Sequence, residues 1–217
     1  MAVTTGFSKP YIGKYSASGQ IVSYSGGMKL GRAVSLSVEV ESAEDNDFYA
    51  DNVIAETETG TMTSATATMT VDGMEDDVAK LALGLPEPSS VEVDDSPVNA
   101  YDYGDNMNPP YLGFGAIRRK MLDGVTTYQP ILFTKVKMSI PGSDYATQED
   151  QIDWQTEELT LSILRDDSAN RNWKRVFASQ TTEAAAENIL KTIFGVTEPD
   201  GLSEPETAEV ATDSAQA

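Results

Sequence analysis

The side chains that could do chemistry in this sequence are nearly all carboxylates. Its 217 residues hold 35 Asp and Glu against 15 Lys and Arg, with no His and no Cys. Imidazole bases, thiolate nucleophiles, disulfides and the usual transition-metal ligands are therefore excluded. The run Glu44-Asp45-Asn46-Asp47 offers the oxygen donors a hard cation such as calcium takes. With Asp45 in the first place of a calcium loop, Tyr49 falls fifth and Ala50 sixth, where a donor and a glycine are needed, so the run reads as solvated acidic loop. The pairs Asp76-Asp77, Asp94-Asp95, Glu157-Glu158 and Asp166-Asp167 raise the two-carboxylate chemistry of glycoside hydrolysis. Neighbours on a strand point to opposite faces, so Glu157-Glu158 would not converge on one bond without a bulge. Ser25-Gly26-Gly27 and Gly113-Phe114-Gly115 lack the further glycines and the lysine of a phosphate-cradling loop and read as turns or close backbone approaches. No catalytic residue, metal or cofactor is expected.

Charge is unevenly placed. Residues 1–32 carry four bases and no acid, and residues 33–105 carry eighteen acids against Lys80 alone. Residues 106–191 are near balance, and 196–217 hold six acids and no base. Opposed potentials on one chain suit contacts between copies, because they steer association and fix register; high net charge for solubility is the plainer explanation. The basic clusters of the second half are Arg118-Arg119-Lys120 and the segment with Arg171, Lys174 and Arg175. A pI near 4.1 argues against nucleic-acid binding, which wants a dominant basic face. Pairing with the acids Glu44, Asp45, Asp47 and Asp51 of another subunit fits better; ordinary surface charge is the alternative.

The elements that would position these groups are mostly strands. Val34, Leu36, Val38 and Val40 alternate with Ser35, Ser37, Glu39 and Glu41, and Ala65, Ala67, Met69 and Val71 alternate with Thr66, Thr68 and Thr70. Tyr111–Met121 and Val125–Ile140 flank Asp123-Gly124, a dipeptide that accepts positive φ in a tight hairpin. Pro130 inside the second run points to an edge or a bulge. Ile152–Leu164 predicts a long strand whose apolar phase moves from Ile152 and Trp154 to Leu159, Leu161 and Ile163, implying a bulge near Glu157-Glu158. Helices are predicted over Met74–Leu83, stopped by Gly84, and after a Thr182 cap, where Ala185, Ala186, Ile189, Leu190, Ile193 and Phe194 form a stripe ended by Gly195. One domain over 1–195 is expected, with an N-terminal arm at 1–20, long acidic loops at 41–60 and 86–110, and a disordered acidic tail at 196–217. A chain opening Met-Ala-Val-Thr-Thr, without an apolar run of eighteen, predicts neither a signal peptide nor a membrane span.

Several ordered stretches resemble the major tail proteins of long, non-contractile-tailed bacteriophages of Gram-positive hosts. They are TTGFSKPYIGKY at 4–15, YSGGMKLGRAVS at 24–35, ESAEDNDFYADNVIAE at 41–56, DYGDNMNPPYLGFG at 102–115, DGVTTYQPILFTKVKM at 123–138, DWQTEELT at 153–160, ILRDDSANRNWKRV at 163–176 and TTEAAAENIL at 181–190. The resemblance implies a mainly β fold, a two-sheet sandwich or partly closed barrel of the tail-tube type with one or two flanking helices. It also implies hexameric rings stacked into a tube, with no catalytic residues. The implied partners are the chain itself, a tape-measure protein inside the tube, and terminator and distal tail proteins at its ends, with DNA passing through unbound. The implied location is the virion tail, assembled in the host cytoplasm.

From alternation, Ser35, Ser37, Glu39, Glu41, Thr66, Thr68 and Thr70 are expected to line the lumen of such a tube; the alternative is that this face meets solvent outside. Two other functions remain: a different virion component, such as a capsid decoration or baseplate protein, and a secreted carbohydrate-binding or hydrolytic β-sandwich, against which the missing leader speaks.

Overall fold

The computed structural model describes residues 3–94, 96–142, 147 and 155–196. In chain order its elements are β1 (Val3–Ser18), β2 (Ile21–Lys29), β3 (Ala33–Ser42), β4 (Asn46–Ala50), β5 (Val53–Glu58), β6 (Met62–Val71), α1 (Asp76–Leu83), β7 (Ser89–Val93), β8 (Ser96–Ala100), β9 (Leu112–Leu122), β10 (Val125–Met138), β11 (Glu157–Leu164), β12 (Lys174–Val176) and α2 (Glu183–Phe194). Eight strands form one antiparallel sheet, β2-β1-β9-β10-β11-β6-β3, with β12 also paired to β10. Among the described residues the sheet is not closed: β2 and β3 are its edges.

Alternation explains the main core. Ala65, Ala67, Met69 and Val71 of β6 and Leu159, Leu161 and Ile163 of β11 are all buried, as period-two patterns with one apolar face require. The sheet curls so that these residues share a cluster with Ile12, Phe114, Phe133 and the inner side of α1. The fold is thus mainly β, a large curled sheet compatible with a sandwich. On the other face of β1, β9 and β10 lies α2, whose Ala186, Leu190 and Phe194 join Tyr11, Ile117 and Leu132 in a second core. As expected, the Thr182 hydroxyl accepts the Ala185 N–H at 3.2 Å, and Gly195 ends α2 in the left-handed conformation at φ 62°.

Phe194 fixes how α2 sits. A Cβ added at Gly13, Gly27, Gly113 or Gly115 would come within 2.7, 2.6, 2.9 or 2.8 Å of its side chain. Gly113-Phe114-Gly115 is therefore a close approach, made so the helix can reach the sheet.

Several expectations are corrected. In the N-terminal arm expected at 1–20, Val3–Ser18 is strand β1, built into the sheet: it pairs with β9 from Val3 to Lys14 and with β2 from Tyr11 to Ser18. Val34 is not in the core: the β3–β6 register slips between Ala33 and Ser35, leaving Val34 57% exposed. Val40, near the far end of this edge strand, is 44% exposed. Pro130 marks neither an edge nor a bulge, since the β9–β10 register runs through it and shifts only between Phe133 and Val136. Its carbonyl accepts the Phe177 N–H at 3.0 Å, while Tyr128 and Thr134 bond in the same direction, to Gln180 and Trp173. The donor that proline lacks would thus point away from the β9 ladder. From Glu157 to Ile163, β11 stays in register with β6, so no bulge falls at Glu157-Glu158; Ile152 and Trp154 lie outside the described residues. The first helix starts at Asp76 rather than Met74. Both long acidic loops contain β-hairpins, β4–β5 and β7–β8. The acidic tail beyond Val196 lies outside the described residues.

Candidate functional site

The seven residues expected on one polar face do share one. Ser35 lies opposite Thr70, Ser37 opposite Thr68, Glu39 opposite Thr66 and Glu41 opposite Ser64, and cross-strand partners project to the same side. The Ser35 hydroxyl donates to Thr70 Oγ1 at 2.9 Å, and the Ser64 hydroxyl donates to Glu41 Oε2 at 2.7 Å. The next strands extend the face in a way the sequence reading missed. Glu158, Thr160 and Ser162 of β11 stand opposite Thr70, Thr68 and Thr66, and Lys137 of β10 stands opposite Ser162. The result is a four-strand surface of hydroxyls with a few carboxylates and a lysine, backed by the main core. Among the described residues no group of three or more carboxylates could hold a metal ion.

The basic residues are divided between faces. Along β9, Arg118 and Lys120 point one way and Arg119 the other, the side it shares with Tyr128 and Glu183. Arg118 donates to Gln129 Oε1 at 2.6 Å, while its Nε is buried and has no hydrogen-bond partner among the described residues. Lys174 sits over the rings of Phe133 and Trp173, at 5.5 and 5.7 Å. Burial, and then the Arg118 charge, push its ammonium below the usual lysine value. Arg175, one residue on, is exposed and stands opposite Leu132, which belongs to the α2-side core. Arg171 stands in a turn at φ 50°, its N–H bonded to Ser168 O at 3.0 Å. Strand alternation thus splits each sequence cluster between faces, and the two clusters meet where Lys174 feels the Arg118 charge.

On the acidic side, Asp45 accepts the Gly60 N–H at 2.8 Å, and Asp47 accepts the Thr57 hydroxyl at 2.6 Å. Asp51 and Asn52, both at positive φ (52° and 63°), make the β4–β5 turn. Glu44 is exposed in the segment leading into β4. Beside these acids, Phe48, Tyr49, Val53 and Ile54 are 52–65% exposed, so the hairpin shows apolar side chains to the outside.

Two polar knots tie distant segments together. The Tyr11 hydroxyl donates to Glu187 Oε1 at 2.5 Å, and Lys9 and Lys191 approach the same carboxylate at 3.3 and 3.8 Å. Burial raises the Glu187 pKa, but the Tyr11 bond and the two ammoniums outweigh it and hold the group below its ordinary value. In the second knot, Lys135 and the Tyr15 hydroxyl both bond Asp167 Oδ2 at 2.7 Å. Burial, then the bond to Asp167, push the Tyr15 hydroxyl up to about 12. Both knots join the N-terminal strand to the C-terminal part of the chain.

No protein-family model matches the chain, and no curated protein matches it significantly.

Proposed function

We propose that this chain is a structural subunit of a bacteriophage tail tube, assembling as stacked hexameric rings that conduct DNA, and that it is not an enzyme. The observation that carries the reading is the pairing of a broad hydroxyl-rich sheet face with two hairpins that expose apolar side chains. Free strand edges and exposed apolar hairpins are liabilities in a monomer and become contacts in an assembly. The ordered tail-protein resemblance along the sequence points the same way.

In this reading Ser35, Ser37, Glu39, Glu41, Thr66, Thr68 and Thr70 line the lumen, joined by Thr160 and Ser162. A duplex carrying one negative charge per about 1.7 Å of axis would slide past hydroxyls and carboxylates without adhering. A ring stacked on an identical ring makes a heterologous interface, which does not close and so grows a filament. Glu44, Asp45, Asp47 and Asp51 meet bases of neighbouring copies drawn from Arg118, Arg119, Lys120, Arg171, Lys174 and Arg175. A tape-measure protein fills the lumen before DNA does, terminator and distal tail proteins bound the tube, and the location is the virion tail, built in the host cytoplasm.

Negative-stain electron microscopy of the purified protein tests this. Rings or hollow tubes are expected; monomers or trimers that persist at high concentration would point to a decoration or baseplate component.

A further inference from the structure

The β7–β8 hairpin carries an apolar face that the other described residues leave half exposed. Val91 lies opposite Val98, and Val93 projects to the same side two residues further on. All three are 50–51% exposed. The segment 86–110 that contains the hairpin holds acids and no base. The β9–β10 tip is its counterpart in character and opposite in charge. There Leu122 lies opposite Val125, at 48% and 63% exposure. Lys120 and Arg118 precede Leu122 on the same face, and Arg118, which donates to Gln129, keeps a buried Nε with no partner among the described residues. The base of the hairpin is held at the Leu112 end of β9: the Ser89 hydroxyl donates to Asp102 at 3.1 Å, the Asn108 N–H bonds Gly84 O at 3.1 Å, and Gly84 and Asn108 line one cleft with Lys14, which stands opposite Leu112. The tip lies at the other end, Leu122, about 3.3 Å per residue away along the strand.

We propose that the valine face of β7–β8 docks on the Leu122–Val125 face of the β9–β10 tip of a second copy of this chain. Apolar burial supplies the attraction, and the acids of 86–110 meet Arg118 and Lys120. The two surfaces are different and lie at opposite ends of β9, so the contact is heterologous and leaves one copy with its tip and the other with its hairpin free for a further copy. The inference rests on the reading of the chain as a stacking subunit and names the faces that stack.

Because the chain has no cysteine, site-directed cross-linking tests it cleanly. Two preparations carrying tags of different size, V98C and V125C, are mixed and treated with a short bis-maleimide. The mixed-tag product is expected in the mixture and absent from either preparation alone, and the double variant V98C/V125C should give a ladder of oligomers. Adding V91S to the double variant, or K120E, should deplete the ladder, with thermal melting unchanged as a check on folding. Absence of the mixed-tag product, or dominant V98C–V98C linkage, overturns the inference. Electron microscopy of the same samples separates it from the broader reading. Tubes without the mixed-tag product sink this contact alone, while a ladder without rings or tubes sinks the tail-tube reading and leaves the contact standing.

Discussion

Replacing Phe194 by alanine should remove the main tie between α2 and the sheet. The ring is fully buried, faces the backbones of Gly13, Gly27, Gly113 and Gly115, and meets Tyr24 edge-on at 5.4 Å. Losing a buried phenylalanine costs roughly 3–5 kcal/mol, a large part of the roughly 5–15 kcal/mol by which domains are stable. At about 2–4 °C per kcal/mol for a chain of this size, the melting temperature should fall by roughly 6–20 °C. The converse change, Gly115→Ala, puts a Cβ 2.8 Å from Phe194 Cε2 and 2.9 Å from Leu190 Cδ2, an overpacking worth roughly 1–3 kcal/mol. In the Phe194→Ala background the same methyl enters vacated space, so Gly115→Ala should cost less by about 1 kcal/mol or more. Denaturant titrations of the four proteins, at unchanged slope, give the cycle. Additive effects, or a Phe194→Ala loss below about 1 kcal/mol, would refute the packing argument.

Tyr11→Phe removes the hydroxyl bound to Glu187 and should cost roughly 1.5–3 kcal/mol at pH 7, the scale of a hydrogen bond to a charged group. Because the folded-state pKa of Glu187 is lowered, its stabilisation is present above the unfolded value and lost as pH falls through the folded one. The wild type should therefore lose its advantage over Tyr11→Phe on acidification below the ordinary glutamate range; a stability gap independent of pH would contradict this. Reversing Arg118 and Arg119 to glutamate should block stacking or shorten tubes with folding largely intact. Each exposed pair is worth only about 0–1 kcal/mol, so the effect must accumulate over many copies, and normal tube length and salt tolerance would dismiss the pairing. Glu39→Lys with Glu41→Lys should leave tubes assembled but slow DNA release from reconstituted particles; unchanged release would count against a lumen position.

What the sequence disclosed depended on how long a pattern ran undisturbed. The β6 alternation, the Asp123-Gly124 hairpin and the capped α2 were all legible, because each places many residues, or a turn residue with one tolerated conformation, in register. The polar face was half legible. Thr160 and Ser162 escaped because Ile152 and Trp154 suggested a longer strand with a phase change, whereas β11 starts at Glu157 and needs none. The two hairpins were hidden by their acids and by Pro97, since five-residue strands without a buried face lack the apolar period that marks a strand. The turn at Asp51-Asn52 was the available signal: both residues tolerate positive φ, as a two-residue hairpin demands. The slip that exposes Val34 and the approach of Phe194 to four glycines depend on contacts between distant segments, which no local pattern encodes.

The most direct test of the tail-tube account is an electron cryo-microscopy reconstruction of the assembled protein, read at Glu39. The account predicts a hollow tube of stacked rings with the Glu39, Thr66 and Thr68 face on the lumen. A tube with Glu39 on its outer surface would contradict the lumen assignment, and an assembly with no axial channel would contradict the account as a whole.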